Sequence, residues 1–587
     1  MGNGFGSLFV GAGGLQSSQN ALNTTANNLT NVNTKGYVRQ QVLYTDRSYN
    51  TFDTTASISP QQVGLGVKIA DVVHARDIFL DKAYRTEAGR QAFYAATAEA
   101  VNEVYTFYQE LEGEAFQDAI QALWTSFQEL SKDPGDSVNQ NLVVQKAGLL
   151  VSRSSAVYQG LNDYQKNLNK RISDNIDRIN ELGQRIFELN KDIHLVESGG
   201  VESAMTLRDE RDNCLDELSG YMDITYKENP EGMVTVNIEG MEFVDELHVY
   251  EIGKLVDDVT GFVTPYWPHT STPANGNYDE VFTYTNKIST EINTDIGELK
   301  ALLLARGDRV ANYNDIVGVS QKEYNNSTAE HIGTGMSVIL QAQAQLDQLF
   351  HGIVTAVNDA FCPNIEASEV IDFKGAKSVI IKDKNGVEHT IKANDLLLDA
   401  ENASVGIDGK LPPQELFKRV GTERYETIEA EDGSVYYKYV PEDPEDTAMQ
   451  YTIVSVEVNH ALIEQETNMP YLTQDGQVNY ALAEQLATLW DEEGLTLDPN
   501  DKNRVRYRDY YSNMIGAFGT LGSVYESTAY SLNDTVTSIT NQRSQIIGVS
   551  SDEELTKMIK YQNAYNASSR FINVINEMIE HLITQLG

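Results

Sequence analysis

Residues 8–37 read LFVGAGGLQSSQNALNTTANNLTNVNTKGY. Leu8, Leu15, Leu22 and Leu29 recur every seven residues; Phe5, Ala12, Gln19 and Ala26 form the flanking row, and Val32 extends the stripe. This is the spacing of a coiled-coil seam. An amphipathic helix packed on its own domain gives a related stripe. The residues between the leucines favour the seam, because Gly, Ser, Asn and Thr form helix poorly and the segment needs a partner. The helix is expected to stop in an asparagine-rich run, Asn27, Asn28, Asn31 and Asn33, whose amides can bond backbone groups there. Gly36 permits a sharp exit with φ > 0, and Tyr37 can pack back as an anchor.

The other end repeats the design. Met558, Tyr565, Ile572, Ile579 and Leu586 hold one seven-residue row, and Leu555, Gln562, Ser569, Asn576 and Ile583 hold the adjoining one. Ser551-Asp-Glu-Glu554 supplies an N-cap residue and first-turn acids suited to the helix dipole. A preceding helix carries Leu521, Tyr525, Thr528, Leu532, Val536 and Ile539, and Ile547-Gly-Val549 separates the two. The strongest heptad lies inside the chain. Ile172, Ile179, Ile186 and Ile193 form one row, and Leu161, Leu168, Asn175, Leu182, Leu189 and Val196 the other, closed by Ser198-Gly-Gly200. These positions are the expected core of a helical rod, with Ile179 and Ile186 facing helices that include 518–546. Further helices are expected over 77–112, 115–131 and 138–158, with a break at Asp133-Pro-Gly-Asp136.

From about residue 222 the period changes to that of strands. Three turns, Asn229-Pro-Glu-Gly232, Asp383-Lys-Asn-Gly386 and Glu431-Asp-Gly433, sit between alternating stretches and read as hairpins. A helix with Ile339, Ala342, Leu346, Leu349, Ile353 and Ala356 on one face interrupts at 335–361. The expected fold is therefore rod-like and multidomain. Its ends are mainly α, a long antiparallel bundle or coiled coil drawn from both chain ends, and a β-rich α+β middle is inserted between them. The expected divisions are 1–35 (assembly helix), 36–220 (helical rod), 221–363 (mixed, β-rich), 364–515 (a second inserted region), 516–548 (rod) and 549–587 (assembly helix), with nearly all strands inside 222–515.

The bulk numbers exclude several functions. The 587 residues carry a formal net charge of −42, which repels nucleic acid and anionic lipid. Cys214 and Cys362, the two cysteines, give no disulfide framework and no zinc spacing. The first residues lack the basic and apolar regions of a secretory leader, and no apolar run reaches membrane length. His-Glu-x-x-His and Walker sequences are absent. Gly11-Ala-Gly-Gly14 follows no strand, so close helix packing is a better reading than a phosphate cradle. Gly386 fails as the sixth position of a calcium loop, because position one would be Ile381. No Ser-His-Asp set is visible. The expected chemistry is none: no catalytic, cofactor or metal residue.

The segment Ala26–Tyr37, continued by Val38-Arg-Gln-Gln41, resembles the N-terminal signature of flagellar rod, hook and hook-associated proteins. Met558–Arg570 resembles the C-terminal signature of the same class. Within that class, Thr206–Ser219, Gly297–Arg306 and Leu346–Asn358 resemble the hook–filament junction (FlgK) family, as do the long helices over 77–220. These segments cover about half of the chain; 364–510 matches weakly. The resemblance implies a non-enzymatic building block exported by the flagellar type III apparatus to the extracellular flagellum, with a cytoplasmic export chaperone on the C-terminal helix. It implies self-association, with hook protein on one side and the next hook-associated protein or filament on the other. It also assigns assembly to the two terminal rows and to Asn27, Asn28, Asn31, Gly36 and Tyr37. Two alternatives stand beside it: another axial protein such as hook or distal rod, and a secreted enzyme or adhesin with its activity in 364–510.

Overall fold

A computed structural model describes residues 3–34, 36–47, 50–53, 61–109, 116–199, 203–328 and 331–586. Helices in chain order are α1 (Asn3–Thr30), α2 (Ile78–Gln109), α3 (Phe116–Lys132), α4 (Ser137–Glu197), α5 (Met205–Tyr221), α6 (Glu298–Arg306), α7 (Gln321–Asn325), α8 (Val338–Phe361), α9 (Ala367–Val370), α10 (His460–Glu464), α11 (Tyr480–Thr488), α12 (Tyr507–Ile547) and α13 (Ser551–Leu586). The first strands are β1 (Gln40–Asp46), β2 (Asn50–Asp53), β3 (Gln61–Val63) and β4 (Val67–His74). The middle holds β5 (Ile224–Glu228), β6 (Val234–Ile238), β7 (Met241–Val244), β8 (Gly253–Val256), β9 (Val263–Tyr266), β10 (Asn364–Glu366), β11 (Ser378–Lys382), β12 (Glu388–Lys392), β13 (Leu396–Leu398), β14 (Phe417–Arg419), β15 (Tyr425–Glu429), β16 (Val435–Tyr439) and β17 (Val456–Val458).

The axis of the molecule is α4, 61 residues long and therefore about 90 Å. Asp136 caps it by accepting the Val138 N–H at 3.0 Å. The expected helix 138–158 and the heptad helix that follows are one continuous element. Ile172, Ile179, Ile186, Ile193, Leu168 and Leu189 are fully buried and Leu182 nearly so. Each contributes roughly 1.5–3 kcal/mol by leaving water. Their partners differ from expectation: α4 packs on α3, α5, α6 and α8, while the helix carrying 518–546 lies along α2. The chain fills the face of α4 first, because α5 folds straight back against it and Arg208 of α5 pairs with Glu197 of α4 at 2.7 Å. The α2–α12 pair is antiparallel: Tyr108 meets Tyr511 and Phe518, Tyr94 meets Tyr525, and the Arg543 guanidinium covers the Tyr84 ring at 4.3 Å.

Two further expectations need correction. Strands are not confined to 222–515, because β1 and β4 pair antiparallel from Gln40↔His74 to Asp46↔Val67 inside the stretch read as helical rod. The two strands are joined through a long excursion, so no short turn announces them. The region 364–515 is not one unit either. Its first part builds the four-stranded sheet β10-β13-β16-β15 over a small separate core of Ala367, Phe373, Ile391, Leu397 and Ile428. Its second part returns to the rod, where the Trp124 indole N–H donates to the Ala487 carbonyl at 3.1 Å, and α12 already begins at Tyr507. The three expected hairpins form as β5–β6, β11–β12 and β15–β16.

Candidate assembly interface

The helices α1 and α13 lie antiparallel. Gly11 faces Ile572, Gly14 faces Ser568, and Asn28 meets Glu554. A Cβ on Gly11 would come within 2.7 Å of Ile572 Cγ1, and one on Gly14 within 2.8 Å of Ser568 Oγ. Small residues therefore form the closest seam, continued by buried Ser18, Ala21 and Thr25. Leu8, Leu15, Leu22 and Leu29 flank that seam half-buried instead of filling it. From the other helix Met558, Tyr565, Ile572 and Ile579 turn toward α1, also half-buried, whereas the Leu586 side chain lies outside the described residues. The second side of α1 rests on the β1–β4 pair, where the Ser17 hydroxyl donates to the Val67 carbonyl at 3.5 Å.

The end of α1 is locked by one side chain. Asn28 is buried, and its amide nitrogen donates to the Gln40 carbonyl at 2.9 Å and to Glu554 Oε2 at 3.1 Å. Its oxygen accepts from the Tyr37 hydroxyl at 2.9 Å and the Gln40 N–H at 3.0 Å. One amide thus joins α1, the entry to β1 and α13. Asn31 bonds back to the Asn27 carbonyl at 3.0 Å, and Asn27 itself is exposed. Gly36 has φ +80 and abuts Asn213 of α5 so closely that no Cβ fits. Tyr37 is half-buried, and burial followed by the nearby Asp209 and Glu554 carboxylates pushes its hydroxyl up to about 12.

Beneath this lock, the Asp209 carboxylate accepts the Val38 N–H at 3.1 Å and faces His74 Nε2 at 3.4 Å. Burial pushes Asp209 up to about 7, and burial, then Arg76 and Arg208, push His74 down to about 4. A neutral imidazole therefore meets a carboxyl group that holds its proton to near neutral pH. Beside it three arginines and three aspartates bind the strand-bearing segment, α2, α5 and α12 together. Arg76 pairs with Asp81 at 2.8 Å and with Asp212; Arg85 pairs with Asp212 at 3.1 Å and Asp216 at 2.7 Å. Arg543 closes the ring on Asp81 at 2.9 Å and Asp216 at 2.8 Å. Asp212 and Asp216, four residues apart, share one face of α5.

Most of α13 remains open. Phe571, Val574, Met578 and Leu582 are 42–62% exposed and recur at helical spacing on a face beside the one that meets α1, with the Phe571 ring at the edge of the two, near Gly11. A second apolar face on a helix already paired once leaves area for further helices.

A family model described as the flagellar hook-associated protein FlgK helical domain matches residues 101–362. The flagellar basal body rod protein model matches 8–37, and the flagellar basal body rod FlgEFG protein C-terminal model matches 540–586. Flagellar hook-associated protein 1 of Bacillus subtilis is 23% identical over 98% of this chain and 96% of its own length. The chain belongs to the FlgK-type flagellar hook-associated proteins. Flagellar hook-associated protein 1 of Escherichia coli is likewise 23% identical, over 97% of this chain and 98% of its own. The flagellar hook junction protein FlgK of Burkholderia pseudomallei superposes over 79% of this chain and 99% of its own, at 13% identity and a TM-score of 0.45. The matches at 8–37 and 540–586 fall on α1 and α13, the pair of helices just described.

In this FlgK-type chain the sequence reading missed the polar partners of the signature. Glu554 was readable only as a first-turn acid, yet it is buried, held by Asn28 and by Lys557 at 2.6 Å. Asp209, His74 and the arginine ring were not singled out. The spacing of Asp212 and Asp216 on one helix face was the available signal.

Proposed function

We propose that this chain, a structural component of the bacterial flagellum, assembles through its paired ends into a short tubular zone that joins hook to filament. The carrying observation is the α1–α13 pair, which presents a second apolar face on α13 while Asn28, Gly36 and the arginine ring fix that pair to the rod. In this reading 1–35 and 549–587 are the assembly unit; Leu8, Leu15, Leu22, Leu29, Met558, Tyr565, Ile572, Ile579 and Leu586 serve contacts along it. The rod halves 36–220 and 516–548 carry the load together with α6, α8 and the stretch from Tyr480 that returns to them, and the four-stranded sheet within 364–439 projects from it. Neighbouring copies supply the area that the monomer leaves uncovered, so ordering of the distal part of α13 and assembly proceed together. The partners are copies of this chain, hook protein, and the next hook-associated protein or filament, with an export chaperone on α13 before type III export to the cell exterior. The role is mechanical and not enzymatic. Imaging of tagged protein on isolated flagella tests this: label restricted to a short zone between hook and filament is expected. Label along the whole hook, or on the cell body alone, would overturn it.

A further inference from the structure

A cleft of about 290 Å³ opens on one side of the rod between α2, α12, α6 and the segment 284–288. Its walls include Phe93, Tyr94, Tyr284, Leu304 and Tyr525, and among the described residues Lys287 is the one charged side chain lining it. That is unusual for a chain of net charge −42. Lys287 is exposed and forms no salt bridge among the described residues.

The rod carries a matching projection elsewhere. The β8–β9 hairpin ends in Asp257-Asp-Val-Thr-Gly261, and Val259 at its tip is 92% exposed. The tip is preformed. The Asp257 carboxylate accepts the Val259 N–H at 3.1 Å and the Thr260 N–H at 2.7 Å, and the Gly261 N–H donates to the Asp257 carbonyl at 2.9 Å. Asp258 beside it is exposed and unlike Asp257 has no part in the turn's hydrogen bonds among the described residues.

Cleft and tip share one height on the rod but not one side. The hairpin is anchored where the Asn169 amide donates to the Gly261 carbonyl at 3.0 Å. Two residues on, Arg171 reaches across to Glu99 of α2 at 2.9 Å, next to Thr97 of the cleft wall. Between them stands α6. Ala301, Leu304 and Ala305 line the cleft, whereas Arg306 bonds Asn169 at 2.6 Å and the Val263 carbonyl at 2.9 Å. At 100° per residue those two faces are roughly 140° apart around α6. An acidic apolar tip on one flank and a singly basic aromatic cleft on the other are what a head-to-tail ring requires, since each copy then offers a different patch to each neighbour.

We propose that the β8–β9 tip of one copy seats in the α2–α12–α6 cleft of the next, Val259 against the aromatic wall and Asp258 against Lys287. This rests on the reading of the chain as a self-assembling axial subunit and specifies its lateral contact. The test is cysteine cross-linking in isolated flagella with the full-length Val259→Cys, Asn286→Cys double variant. Mild oxidation is expected to give a ladder of covalently linked copies, absent from either single variant, which retains only Cys214 and buried Cys362 as background. In that setting Asp258→Lys or Lys287→Glu alone lowers the cross-link yield roughly tenfold or more through like-charge opposition, and the two together restore it. Normal incorporation of the chain without a ladder overturns the contact while leaving the axial role intact. A cross-link to a different flagellar protein overturns the second copy as occupant. Absence of the chain from flagella, when the unsubstituted protein is equally absent, removes the axial reading itself.

Discussion

Replacing Asn28 by Asp changes almost no volume and tests the lock directly. The side chain loses both N–H donors, so the Gln40 carbonyl and Glu554 Oε2 lose the Asn28 amide while Glu554 Oε1 keeps Lys557, and a second carboxylate stands about 3.1 Å from the first. An unmade buried hydrogen bond costs about 1–3 kcal/mol. Two of them, with the like-charge contact relieved in part by protonation, give about 4 kcal/mol at pH 7, or roughly a thousandfold in the local opening equilibrium. The sign with pH follows. Like-charge crowding raises the folded-state pKa of the new pair above the unfolded value near 4, so the folded state binds the extra proton. The like-charge part of the penalty is absent below the unfolded value and develops as pH rises from there through the raised one, while the loss of one donor persists at every pH. Amide exchange in the full chain at Arg39–Val42 and around Glu554 reads the opening, with α4 amides as the internal control. Wild-type protection of those amides at pH 7, or a loss equal at pH 4 and pH 7, would refute the account of Asn28 as the joint between the helices.

Other outcomes follow from particular contacts. Ile179→Asp places an unpaired carboxyl group at a fully buried site and should cost on the order of 4–6 kcal/mol, read as a lowered urea midpoint; an unchanged midpoint would move Ile179 out of the core. Gly36→Ala should loosen the exit from α1, because φ is +80 and Asn213 occupies the space of the Cβ; Asn213→Ala in the same chain should recover only the steric part, detected by limited proteolysis near residue 36. The His74–Asp209 pair should be nearly silent to pH between about 4 and 6.5. On folding His74 (folded value about 4) gives up a proton there, and Asp209 (about 7) takes one up, so the two slopes cancel. His74→Gln removes the first term, and stability should then fall as pH rises from about 4 to about 7; calorimetry showing the same pH profile in both proteins would exclude the pairing. In the free full chain, amides over 558–580 should exchange quickly while those beside Glu554 stay protected, because α13 beyond its first turn is covered on one side only.

The sequence by itself determined the elements that repeat. The isoleucine and leucine rows over 161–193 mark a buried helix face, because a helix must bury a continuous stripe wherever it lies. The three turn sequences place hairpins, because turn geometry is local. The signature at 26–37 and its counterpart at 558–570 mark the ends as a pair within the flagellar axial class. Only the tertiary structure decided which surfaces meet. Nothing local to 518–546 says that its aromatic residues lie along α2 and not α4, and nothing local to β1 says that it pairs with β4 across a long excursion. Leu8, Leu15, Leu22 and Leu29 were legible as a stripe, yet Gly11, Gly14, Ser18 and Ala21 make the closest seam, since close approach of two backbones depends on what the opposing helix presents. Asn28 was legible as a helix-ending amide. Its bond to Glu554, 526 residues away, was not, because a hydrogen bond needs only a few ångströms in space and leaves no period in the chain.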